Sequence, residues 1–311
     1  MKPLGRHSSP EKSGNAKYIL IGMLFLILAG SSYLVVNTFF AQQQESTPST
    51  AKKSTSKKTS SKPKLETSET TTVSTSNTQQ SSESEPQLDA TALTASADQV
   101  YYGVHYFNQD KDISSNNSAP TISASVIKVF IMEYAFTQAD LTEMLEGKTI
   151  NDWIISMIQQ SDNDAANILI THFGMEQLNE SFQTQGYQDT RLERLMLDNE
   201  ARNQGKENYT SLNDCMFFLK KLYQQQGDYP YSTMLNIMEG QTLRTKIPSK
   251  LSEDILVANK TGELDNIEND IGLVLTEKNP FAIVVLSQNY QNVEEIRGAI
   301  GDFTLAATKM Y

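Results

Sequence analysis

One cysteine (Cys215), three histidines (His7, His105, His172) and a single tryptophan are all that 311 residues supply of those side chains. One thiol excludes an internal disulfide, and with so few histidines beside it the soft-ligand set is too small for a structural zinc site. Positive charge is also scarce. With 26 basic against 37 acidic side chains the net charge is -11, which argues against nucleic acid as a partner, because phosphate binding needs a basic surface. Length alone suggests about two domains at roughly 150 residues each, but the residues are not spread evenly enough for that division.

Residues 1–17 form a polar, basic tail (Lys2, Arg6, Lys12 and Lys17 against Glu11), and residues 18–40 then run without a charge. At about 1.5 Å per residue a helix of that length reaches about 34 Å, enough to cross a hydrocarbon core of roughly 30 Å. A cleaved signal peptide is the rival reading, but it wants a small residue where Phe39 stands. The expectation is therefore an uncleaved single-pass anchor in the cell membrane, with the basic amino terminus cytoplasmic and the rest extracytoplasmic. Residues 41–90 follow as a tether: in 43–87, 22 of 45 residues are Ser or Thr, too polar to offset the entropy of ordering. Its lysines (Lys52, Lys53, Lys57, Lys58, Lys62, Lys64) belong to a solvated spacer or, on a sharper reading, attract anionic wall polymers. The net negative charge falls wholly on residues 91–311, since the first 90 carry more basic than acidic side chains. That stretch is long enough for one domain with a full core.

Within it, 101–107 is aromatic and β-prone and meets a turn cluster at 108–112, which predicts a hairpin. Residues 125–139 are apolar on nearly every face, the pattern of a central buried helix. Further helices are predicted at 149–160, 164–173, 175–185 and 211–225, short strands at 255–258, 272–275 and 281–286, and a closing helix at 293–309. Strands at both ends around central helices predict an α+β fold, an antiparallel sheet packed with a helical layer. Cys215, in a helical run beside Met216 and Phe217, reads as a buried structural thiol.

Ser125-Val126-Ile127-Lys128 has the form S-x-x-K, as do segments starting at Ser9, Ser49, Ser54 and Ser61 in the tail and tether. Only at Ser125 does the serine open an apolar helix, where i and i+3 share a face and the lysine can reach the hydroxyl. Burial there would lower the lysine pKa toward that of a usable base. Ser161-Asp162-Asn163 follows, with Ser and Asp placed as ordinary helix caps, and then Lys260-Thr261-Gly262 at the end of a strand. The three in this order are a signature of class A β-lactamases and penicillin-binding proteins. Ala165-Ala166-Asn167, 190–194 (TRLER), 241–244 (QTLR) and Val257-Ala258-Asn259 add to the match, so that residues 98–311 resemble the class A β-lactamase-related serine hydrolases.

That resemblance implies Ser125 as the acylated nucleophile, Lys128 as its base and Ser161 as the relay of a proton to the leaving nitrogen. Asn163 would hold the substrate's acyl-amide and Lys260, with Thr261 beside it, the substrate carboxylate, with Gly262 completing the substrate-binding set. The backbone NH groups of Ser125 and Glu263 would form the oxyanion hole, for which no particular side chain is needed at 263. No metal or cofactor is implied. Two departures stand out. The loop that should bring a deacylating glutamate offers Met196 when aligned forward and Arg194 when aligned backward, with Glu193 and Asp198 as nearby carboxylates and Glu193 read as an ion-pair partner. Only 36 positions separate Ser125 from Ser161, fewer than is usual in the family, which implies a more open cleft. The expected function is a membrane-tethered serine acyl-transfer enzyme acting on β-lactams or D-alanyl wall peptides, with slow deacylation. A true β-lactamase, and a non-catalytic wall-binding or sensing module, are the alternatives.

Overall fold

A computed structural model describes residues 87–116 and 119–311. The tail, the span at 18–40 and nearly all of the tether lie outside the described residues. Among those described, no helix is long and apolar enough to cross a membrane.

The chain enters through α1 (Thr91–Ala95) and the hairpin β1 (Ala97–Tyr106) and β2 (Lys111–Ser114), then β3 (Thr121–Ile122) and a 3₁₀ turn (Ala124–Ile127) that runs straight into α2 (Lys128–Gln138). A small hairpin, β4 (Met144–Leu145) and β5 (Lys148–Thr149), leads to α3 (Ile150–Gln159), α4 (Asn163–Phe173) and α5 (Met175–Thr184). The following loop holds α6 (Asn199–Asn203) and β6 (Tyr209–Thr210). After α7 (Leu212–Gln224), α8 (Tyr231–Glu239) and a 3₁₀ turn (Ile247–Lys250), the chain closes with β7 (Leu256–Leu264), β8 (Ile267–Leu275), β9 (Phe281–Tyr290) and α9 (Val293–Ala307). Side-chain caps explain several of these starts: Thr149 and Asp152 form a reciprocal capping box on α3, while Asp162, Ser211 and Asn292 accept from the first turns of α4, α7 and α9.

The five-stranded antiparallel sheet has the order β2-β1-β9-β8-β7, so the strands come from both chain ends. It is covered on both faces. Val104, Tyr106, Ile283 and Val285 pack toward α9, while Tyr101, Val284, Leu286 and Ile271 pack toward the central helices. Burial on both sides is why these strands read as short unbroken apolar runs rather than as alternation, and it places the terminal helix on the opposite face of the sheet from the helical layer. Gly103 lets α7 come close: a Cβ there would stand 2.9 Å from the Leu212 side chain.

α2 is the central helix, with Val129, Phe130, Ile131 and Met132 fully buried. Buried inside it, Glu133 accepts from Tyr187 (2.6 Å) and Tyr231 (3.0 Å) and pairs with Lys221 at 2.6 Å, tying α2 to α7 and α8. The strand expected at 255–258 is longer than its apolar core. β7 continues to Leu264 because polar residues 259–263 are paired with β8 in full register, so Lys260 sits inside the strand and not at its end. Helix α8 was not expected, being short and lacking a side-chain cap. Cys215 is buried.

Candidate active site

Ser125 lies in the 3₁₀ turn that begins at Ala124, whose φ of 47° is a left-handed conformation uncommon outside glycine. Ser125 itself is half-buried while Ala124, Val126 and Ile127 are buried, so the turn presents the hydroxyl and hides its neighbours. Three residues on, Lys128 opens α2 fully buried. Its Nζ donates to the Ser161 carbonyl at 2.7 Å and to Asn163 Oδ1 at 2.8 Å. Burial pushes the amine down to about 7, opposed by the negative Asp162 nearby.

Ser161 occupies the turn between α3 and α4 with φ 57°, a second left-handed residue at the site. This conformation turns its carbonyl to Lys128 and its hydroxyl to Lys260, whose Nζ donates to Ser161 Oγ at 2.9 Å and to the Thr261 carbonyl at 2.7 Å. Lys260 is fully buried as well, and its amine is held well below the ordinary lysine range by burial and by repulsion from Lys128 and Lys246, against attraction from Asp270 and Glu263. The fully buried Asp270, bonded by Asn259 and the Ile247 NH, is raised by that burial to about 6. Gly262 is required by contact. A Cβ there would lie 2.7 Å from the Ser123 carbonyl and 3.1 Å from the Ser125 nitrogen, pushing β7 off the nucleophile turn.

Strand and turn thus bring Ser125, Lys128, Ser161, Asn163, Lys260 and Gly262 to one place. The arrangement provides a half-buried serine three residues before a buried low-pKa amine, a second hydroxyl bonded to a second such amine, and an amide whose oxygen is taken by Lys128, leaving its NH₂ for a ligand. Thr261 is buried and alternates along β7 with Lys260, so it shares the strand face of Glu263. The Lys260 amine spans from the Ser161 hydroxyl to the Thr261 carbonyl.

A recess at Ser125 is lined by Ser125, Asn163, Arg194, Met196, Glu207 and Asn208 and by Glu263 and Leu264 of β7. Neither Glu193 nor Asp198 lines it: Glu193 accepts from Arg191 Nε at 2.7 Å, and Asp198 caps α6 through the Ala201 NH. Both Met196 and Arg194 do. Asn167 of α4 clamps Met196 by both its amide groups, and Arg194 pairs with Glu207 at 2.7 Å. Glu207 also pairs with Arg202 at 3.1 Å. Sequence reasoning missed Glu207 and Asn208 because the loop partners they hold, Arg194 and Glu193, lie 13 to 15 residues away in an irregular segment with no repeating pattern. Asn208 accepts at Oδ1 from the Glu193 and Arg194 NH groups and at its carbonyl from the Ser123 NH, fastening the loop to the nucleophile turn.

A second charged group adjoins the recess. The fully buried Lys246 bridges Glu263 (2.6 Å) and Glu268 (2.7 Å), and Arg297 of α9 reaches the same two carboxylates at 3.4 and 2.7 Å. Burial works against the charge on Glu263, but Lys246 and Arg297 hold its carboxyl below the ordinary glutamate range.

The sequence model of the family described as "Beta-lactamase enzyme family" matches residues 140–311, more than half of the chain. Comparison with curated proteins gives no match. Among solved structures, a β-lactamase from Sphaerobacter thermophilus is similar at 22% identity, over 71% of this chain and 95% of that one, with a TM-score of 0.62. PBP-A is similar at 20% identity over 70% and 94%, with a TM-score of 0.61. A class A β-lactamase from Mycobacterium abscessus is similar at 16% identity over 71% and 96%, with a TM-score of 0.62. At these identities the likeness shows a shared fold.

Proposed function

Since this chain belongs to the beta-lactamase enzyme family, we propose that it is a serine acyl-transfer enzyme, tethered outside the cell membrane by residues 18–40, acting on D-alanyl wall peptides or related amides and acylated by β-lactams. The observation that carries this reading is the pair of buried lysines meeting at Ser161, with Lys128 three residues from the half-buried Ser125. Neutral Lys128 takes the Ser125 proton as Oγ bonds to the substrate carbonyl carbon. The oxyanion rests on the backbone NH groups of Ser125 and Glu263. The carbon–nitrogen bond then breaks, and the leaving nitrogen receives a proton through Ser161.

Deacylation is slow on this reading. Met196, whose backbone is held by Asn167, puts an apolar side chain on the recess wall where a water-activating carboxylate is wanted, and Glu207, also on the wall, is bound by two arginines. The helix–hairpin–helix link between Ser125 and Ser161 is short, which suits a polymeric substrate. A penicillin-labelling time course on the full-length chain, followed by intact mass, tests the proposal. It predicts a long-lived adduct absent from Ser125→Ala. No adduct, or one that survives that substitution, refutes it, and rapid turnover without accumulation favours a true β-lactamase.

A further inference from the structure

Glu263 and Glu268 are direct partners across the β7–β8 ladder. Two like charges placed opposite each other repel, and Lys246 and Arg297 each touch both carboxylates. The four charges cancel. Glu268 and Lys246 are buried beneath this balance, whereas Glu263, at 35% side-chain exposure, and Arg297, at 26%, reach the surface. Glu263 also lines the recess at Ser125, on the strand face it shares with Thr261, while the buried Lys260 amine is bonded to the Ser161 hydroxyl and the Thr261 carbonyl. A substrate carboxylate laid against Thr261 would therefore find two cations already bonded to carboxylates and, closest to the surface, a carboxylate of like sign.

We propose that Glu263 is a specificity-determining residue that offsets the cations bonded to it, Lys246 and Arg297, at the edge of the recess, so that the preferred acyl donor carries an uncharged group, such as a carboxamide, where a free carboxylate would otherwise sit. This rests on the acyl-transfer reading above and narrows its substrate class. The quartet makes the effect reversible in sign. Glu263→Gln leaves Lys246 and Arg297 facing only Glu268, a net positive edge, and Arg297→Gln leaves a net negative one.

The test is the rate of Ser125 acylation in the full-length chain by two matched depsipeptide esters, an N-acyl-D-alanyl-D-lactate and its lactamide. The wild type favours the lactamide. Glu263→Gln shifts the ratio toward the carboxylate ester by about tenfold, a shift that weakens as salt is raised, and Arg297→Gln shifts it the other way. Because each enzyme is compared with itself on two substrates, partial loss of folded protein leaves the ratio intact. A wild-type preference for the carboxylate ester, an unchanged ratio in both variants, or movement of both in the same direction overturns the inference. Acylation by both esters at equal rates in all three proteins overturns it while leaving the acyl-transfer reading standing, and acylation by neither ester in any of them overturns both.

Discussion

Lys128 and Lys260, which meet at Ser161, and Lys246, which is bonded to Glu263, are equally buried, yet their surroundings differ in kind. The first two bond only to carbonyl, amide and hydroxyl oxygens, whereas Lys246 lies between two carboxylates. An amine without a bonded counter-ion is cheaper to bury neutral, and Lys128 and Lys260 are both shifted in that direction. An amine between two carboxylates is part of the frame. Burial alone therefore does not mark a catalytic lysine. The role proposed for Lys128 rests instead on burial among neutral acceptors three residues from the half-buried Ser125.

Substitutions at the two kinds of lysine should separate these roles. Lys128→Ala is expected to slow acylation about 100- to 10,000-fold, measured by label incorporation, with no loss of thermal stability, since a costly buried amine is removed. Lys246→Met should do the reverse. It strips a buried cation from Glu268 and should lower unfolding free energy by about 3 to 5 kcal/mol in urea titration, with the folded fraction still able to label. Equal stability losses in the two variants would erase the distinction. Met196→Glu, on the recess wall, should shorten the adduct lifetime about tenfold or more in the mass time course, and an unchanged lifetime would show that the wall is not where water is activated. The smallest effect belongs to Glu193→Gln. Its pair with Arg191 is partly exposed, so a stability change within about 1 kcal/mol and an unaltered acylation rate are expected.

Much of this site could be read from the sequence because its parts are local. Ser125 and Lys128 share one turn, Ser161 and Asn163 flank a capped helix start, and Lys260 to Gly262 lie on one strand. The apolar runs of β9 and α2 were legible because burial on all sides leaves an unbroken pattern. The recess wall was not. Arg194, Glu207 and Asn208 act through pairings across an irregular loop, and Glu263 acquires its neighbours from β8, α9 and Lys246, just before the turn at Ile247–Lys250, whose register no short motif encodes. Two alignments of the loop offered Met196 or Arg194, and folding brings both to the recess.

The pH dependence of Ser125 acylation, followed by intact mass in the wild-type chain, tests the central claim most directly. The Lys128 amine must be neutral to accept the proton, and burial places its pKa at about 7. The rate should therefore be level above that pH and fall about tenfold per unit below it. A rate unchanged between pH 5 and 9 on the order of those limits, or an adduct that persists in Ser125→Ala, would contradict the account.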